Sequence, residues 1–192
     1  HENKLKKETI QTISVQAHEN NSLFEQRNRR FCFYFYAFRN PRVKSIEIIT
    51  QVGLQLVNDE QQNTAMIDFL ERGGKLSILI NSEEKRWEIG DHMKSENRYY
   101  IKTEQCISYW KKLKIKFPES LRIFVTEIPI LHSIMLTTTE EKMDSEIYVA
   151  YYTYTVYNVE SNPQLLLHLG EEYFDIYLSE LRYLQEHAEE II

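Results

Sequence analysis

Cysteine, glycine and proline are all scarce in this chain: two, five and four residues among 192. The two cysteines, Cys32 and Cys106, stand far apart, with no CxxC pair and no Cys/His cluster at zinc spacing. Neither a disulfide framework nor a metal site is expected from them, and the default compartment is the cytoplasm. So little glycine and proline excludes collagen-like, linker-like and low-complexity chains. The longest apolar run, Phe31 to Phe38, is far shorter than the roughly 20 residues a membrane helix needs. No basic segment followed by an apolar one opens the chain as a secretory signal would. A basic surplus is missing too. Lys and Arg number 23 against 29 acidic residues, a net charge of -6. That balance is unsuited to a phosphate-tracking face, so direct nucleic-acid binding by this domain is not expected. There is no GxGxxG, no GxxxxGK[ST] and no GxSxG. Their absence excludes the nucleotide cradles and the hydrolase elbow that those patterns mark. His1 stands where an initiating Met would be, the expected mark of a trimmed tag or of a fragment cut from something longer.

What the chain does have is aromatic material for a core, with 13 Tyr and 9 Phe. Its length suits one globular domain with a short appendage. Residues 1–30 are polar, and Leu5, Ile10, Ile13, Val15 and Leu23 give only a thin helical stripe, which suits a connector or dimerising arm. In the following aromatic run, Phe31, Phe33 and Phe35 alternate as in a strand, while Phe31, Tyr34, Phe35 and Phe38 match a helix. A helix continuous with the arm is the preferred reading, ended by Pro41.

From Val43 the elements alternate. Val43–Ile49 reads as a strand. Asn58-Asp59 caps a helix whose Ala65, Met66, Phe69 and Leu70 recur at helical spacing and which Gly73-Gly74 stops. Leu76–Ile80 is the next strand, completing a βαβ unit with a parallel sheet. Asn81–Glu96 is polar and irregular, anchored by Trp87 and Ile89. A second helix fits Tyr99–Lys116. Leu121–Val125, His132–Thr138 and Glu146–Val156 are three further strands. Asn162-Pro163 opens a last helix, with Leu165, Leu166, Leu169, Phe174, Tyr177, Leu178, Leu181 and Leu184 on its buried face. The expected fold is α/β, a mixed central sheet with helices on both faces. A helical N-terminal arm over 1–42 precedes the α/β domain at 43–192.

This order of elements resembles one half of the phospholipase D fold. The segment Leu70-Glu71-Arg72-Gly73-Gly74-Lys75-Leu76-Ser77-Ile78-Leu79-Ile80 looks like the helix-end segment common in that superfamily. His132-Ser133-Ile134-Met135-Leu136, Glu141-Lys142-Met143-Asp144, Leu166-Leu167-His168-Leu169 and Glu172–Leu178 are similar to a phospholipase D-like domain of unknown role. That domain is fused to Cro-like helix-turn-helix regulators in bacteria. The similarity covers about residues 43–186. It implies a cytoplasmic bacterial signalling or transcription-regulating protein, no cofactor, and metal-free chemistry. It also implies a homodimer, since the fold sets two halves face to face and one chain supplies one.

Active members use HxKxxxxD: the His attacks phosphorus, the Lys binds phosphate oxygens and the Asp orients the His. Counted from His132, Ile134 stands where the Lys belongs and Thr139 where the Asp belongs. Lys142 and Asp144 are close but out of register, and an odd shift along a strand turns a side chain to the other face. The expected function is therefore a non-catalytic sensing or interaction domain that binds a small anionic or nucleotide-like ligand near His132. The alternative is a phosphodiesterase or nuclease that uses His132 with Lys142 and Asp144. Ser133 shares the His132 pocket, and Arg122, on the strand before, reaches it from a neighbouring strand to hold an anion. Tyr148, Tyr152 and Tyr154 share one face of their strand and Tyr151 and Tyr157 the other; Tyr152 joins the ligand-binding set. His168 is structural, in the last helix, with Gly170 where a Lys would be needed. The turn around Glu140–Asp144 is a solvated hairpin with no metal.

Overall fold

The chain divides into two units, His1–Cys32 and Phe33–Ile192. The computed structural model describes residues 33–92, 98–141, 144–151 and 164–191, all in the second unit. The arm expected over 1–42 thus lies, up to residue 32, outside the described residues. Phe33–Arg39 is helical (α1), as the aromatic stripe predicts. Phe38 is fully buried against Phe69, and the Arg72 guanidinium donates to the Phe38 carbonyl, so α1 packs within the second unit.

The elements that follow are β1 (Val43–Ile49), α2 (Leu54–Asn58), α3 (Glu60–Glu71) and β2 (Lys75–Asn81). Next come α4 (Glu83–His92), α5 (Arg98–Lys116), β3 (Leu121–Thr126), β4 (His132–Thr139) and β5 (Glu146–Tyr151). The chain closes with β6 (Gln164–His168), α6 (Phe174–Glu186) and β7 (Glu189–Glu190). Seven strands form one sheet in the order β6-β5-β4-β1-β2-β3-β7. Strands β1, β2 and β3 are parallel, and every other pairing is antiparallel, so the sheet is mixed.

Asp59 caps α3 by accepting from the backbone N–H groups of Gln61 and Gln62, which satisfies donors that have no partner inside a helix. Gly73, at φ 87°, turns the chain out of α3. Gly74 then lies so close to Phe69 that a Cβ would stand 2.5 Å from its ring. Alternation along the strands sends side chains to two faces. Ile49, Leu79, Ile134, Val149 and Leu167 pack against Phe174, Leu181 and Leu184 of α6. On the opposite face Tyr34 of α1 bonds to Ser133, and Phe33 stacks on Tyr148 at 4.7 Å. Helices thus cover both faces, α6 on one and α1 on the other.

Two expected elements take another form, and α2 and β7 match no expected element. Glu83–His92 is helix α4, not irregular chain: the Ser82 hydroxyl accepts from the Lys85 N–H at its start. Trp87 is 48% exposed. Residues 164–168 form strand β6 rather than the start of the last helix. The Leu run pairs with β5, and Gly170 at φ 95° breaks the chain before α6 begins at Phe174. His168 is therefore a strand residue. Asn162-Pro163, and the part of the expected fifth strand beyond Tyr151, lie outside the described residues.

Candidate functional site

His132 opens β4 at the carboxyl-end edge of the parallel strands, and the segment leading to it is fixed by polar side chains. Asn81, fully buried at the end of β2, donates to the Ile128 carbonyl at 2.8 Å and accepts from the Ile130 N–H at 3.2 Å. Gln51 donates to the Ile130 carbonyl. A buried amide with both ends satisfied holds a loop in one conformation.

The His132 side chain is 13% exposed. Its Nε2 lies 3.1 Å from the Glu180 carboxylate of α6. Its ring stands 5.6 Å from that of Tyr151, its partner across β4 and β5, and 5.7 Å from Tyr177, edge-on. Tyr177 and Glu180 sit three residues apart on α6, so one helical turn presents both to the same place. The hydroxyls of Tyr151 and Tyr177 bond to each other. Burial first, and then that bond, push the Tyr177 phenol upward, which keeps it neutral across the physiological range. In the tautomer that carries the ring proton on Nε2, the imidazole N–H donates a hydrogen bond to the carboxylate. Among the described residues no Lys or Arg bonds to any of these four side chains.

The positions that would complete a phosphoryl-transfer set are occupied otherwise. Ile134 is buried in the core beneath α6. Thr139 is buried, and its hydroxyl donates to the Glu141 carbonyl. Asp144 lies in the turn between β4 and β5, at the far end of the eight-residue strand from His132, roughly 20 Å away at the rise of a strand. Lys142 and Tyr152 lie outside the described residues.

Two further residues are not brought to His132. Ser133 points to the opposite face, where its hydroxyl donates to the Ile49 carbonyl and pairs with Tyr34. It is a buried connection between α1 and β1, not part of a shared pocket. Arg122 is on β3, and β1 and β2 separate β3 from β4. Three strand spacings put it about 14 Å from the His132 strand. Its guanidinium pairs with Glu190 of β7 at 2.9 Å and lies over the Phe124 ring. His168 of β6 pairs with Glu146 across the strands at 3.4 Å. Burial raises the Glu146 carboxyl, and the neighbouring His168 opposes the shift. No group of His, Cys, Asp and Glu among the described residues is arranged to hold a metal ion.

Sequence reasoning missed Glu180 and did not connect Tyr151 and Tyr177 with His132. The available signal was the i, i+3 pair on the last helix, but nothing in the sequence says which strand residue that turn covers.

No family model matches the chain. No curated protein matches it either. Among solved structures it is similar to the polyphosphate kinase from Porphyromonas gingivalis, with 13% identity, a TM-score of 0.47, 81% of this chain and 24% of that chain covered. It is also similar to TrmBL2, described as an archaeal chromatin protein with a novel mode of DNA binding, with 14% identity, a TM-score of 0.47, 96% of this chain and 65% of that chain covered. The chain spans less than two thirds of either one, and these are likenesses of shape at a level that identifies no family.

Proposed function

We propose that the chain is a phospholipase D-like half without the catalytic set, serving as a non-catalytic sensing or interaction domain of a cytoplasmic bacterial regulatory protein. One observation carries the proposal: His132 pairs with Glu180 between two tyrosines, with Ile134 and Thr139 buried where a lysine and an aspartate would be needed. A developing phosphorane carries negative charge and needs cationic or hydrogen-bond donors aimed at it. Glu180 takes the place of an orienting carboxylate, and among the described residues no Lys or Arg bonds to the cluster to meet that charge. The same carboxylate makes the His132 end a poor seat for an anionic ligand. The test is a panel of phosphodiesters and single-stranded nucleic acids offered to the wild type and to His132→Ala. No turnover in either protein is expected; turnover that the substitution abolishes would restore the phosphodiesterase reading.

The domain works as a homodimer in this proposal, each copy supplying one half. Exposed Tyr173, just before α6, and Ile176 and Tyr183 on it are consistent with a covered face. Light scattering at micromolar concentration checks it. The expected mass is that of two chains, and a single-chain mass that does not change with concentration would contradict it.

A further inference from the structure

The face of the sheet that α6 covers is apolar only over part of its extent. Two residues before Ile49 and Leu79, which pack on α6, the same face carries Glu47 on β1 and Ser77 on β2. Two residues earlier again it carries Ser45 and Lys75, paired across the strands. On β3, Arg122 stands beside Ser77. Parallel strands covered on both faces read as near-continuous apolar runs. The central strands of this sheet depart from that rule at their amino ends, and there the structure has an open groove of about 480 Å³. Arg182 and Gln185 of α6 form one wall, and Glu119 lies on the turn before β3. The volume is in the range of sites for small molecules.

Its charges fall into two sets. Arg182 forks onto Glu47, at 2.5 and 3.1 Å, and Gln185 donates to the same carboxylate. Arg122 and Lys114 both hold Glu190. These groups neutralise one another and fix the walls. Among the described residues the Lys75 ammonium, the Ser45 and Ser77 hydroxyls and the Glu119 and Glu186 carboxylates make no side-chain bond. The groove therefore keeps one cation and two hydroxyls on its floor and two carboxylates at its margin.

Resting on the binding-domain reading above, we propose that this groove takes a small zwitterion. The anionic head, a carboxylate or a phosphate, is met by Lys75, Ser45 and Ser77. The ammonium group is met by Glu119 and Glu186. A simple anion is disfavoured because Glu119 and Glu186, which no described cation holds, both line the groove. Calorimetric titration of the full chain at low salt tests this, with β-alanine and phosphoethanolamine as the zwitterions and inorganic phosphate and ethanolamine as the separate halves. One of the two zwitterions binds, and which one identifies the head group. The dissociation constant rises at least about tenfold in Lys75→Ala, since a hydrogen bond to a charged group is being removed. Lys75 is exposed, so that variant folds. Glu119→Gln with Glu186→Gln weakens the zwitterion, and His132→Ala leaves it unchanged. Failure of both zwitterions to bind, equal binding by Lys75→Ala, loss of binding in His132→Ala, or phosphate binding as tightly as phosphoethanolamine would overturn the proposal. None of these results bears on turnover, so the absence of catalysis stands or falls separately.

Discussion

At the scale of single residues, burial and pairing decide which groups are chemically available. Cys106 is buried on α5, and burial pushes its thiol up to about 11, against the opposing charge of Arg86. Thiolate is the reactive form. In a Cys32→Ser variant, iodoacetamide is expected to leave Cys106 unlabelled near neutral pH and to label it once the chain is unfolded in urea. Rapid labelling of the native chain would contradict the burial. Glu190 behaves in the opposite sense. The Arg122 guanidinium that bonds to it holds its carboxyl below the ordinary glutamate range. A folded-state value below the unfolded one, about 4.3, means stabilisation that is present above the unfolded value and lost as the pH falls through the folded one. The pair tethers β7, where the Ile191 N–H donates to the Ile123 carbonyl at 2.7 Å. The protection of the Ile191 amide, its exchange compared with the intrinsic rate at the same pH, is expected to fall on acidification, and Glu190→Gln is expected to show the same lowered protection at neutral pH. Protection that is unchanged in both conditions would show that the tether does not depend on this charge.

At the scale of elements, α6 organises the His132 cluster, because Tyr177 and Glu180 reach His132 only while Phe174, Leu181 and Leu184 hold the helix on the sheet. Leu181 is fully buried, so Leu181→Ala is expected to cost about 2–5 kcal/mol in chemical denaturation. A cost under about 1 kcal/mol would mean that the helix is held by something else. Local signals made much of this architecture legible. Asp59 and the Gly73-Gly74 pair bound α3 because caps and glycine turns act within a few residues. The β-branched runs of β1 and β2, and the short apolar run of β3, read directly as strands. Short leucine runs do not carry such information. Gln164–His168 fits a helical stripe with the residues after it, and only pairing with β5 makes it a strand. Helix α4 has too few apolar positions to show a period. The candidate site was legible at His132 alone. Arg122 was misplaced because sequence order does not reveal that β1 and β2 lie between β3 and β4. Ser133 was misplaced by one residue of alternation, which turns it to the other face.

At the scale of the whole molecule, one sheet carries two polar places on its α6 face. At the carboxyl ends of β1–β3 a histidine is held by a carboxylate between two tyrosines, and at the amino ends an open groove carries charges of both signs. Among the described residues the His132 cluster has no Lys or Arg bonded to it, whereas phosphoryl transfer requires cations at the reacting group. The central claim is that His132 is not a nucleophile. The most direct measurement is mass spectrometry, under neutral conditions that preserve phosphohistidine, of the full chain after prolonged incubation with bis(4-nitrophenyl) phosphate. The account predicts an unmodified chain and an unmodified peptide around His132. A nitrophenyl-phosphoryl or phosphoryl adduct on His132, absent from Glu180→Ala or Tyr151→Phe, would contradict it and make the cluster an active site.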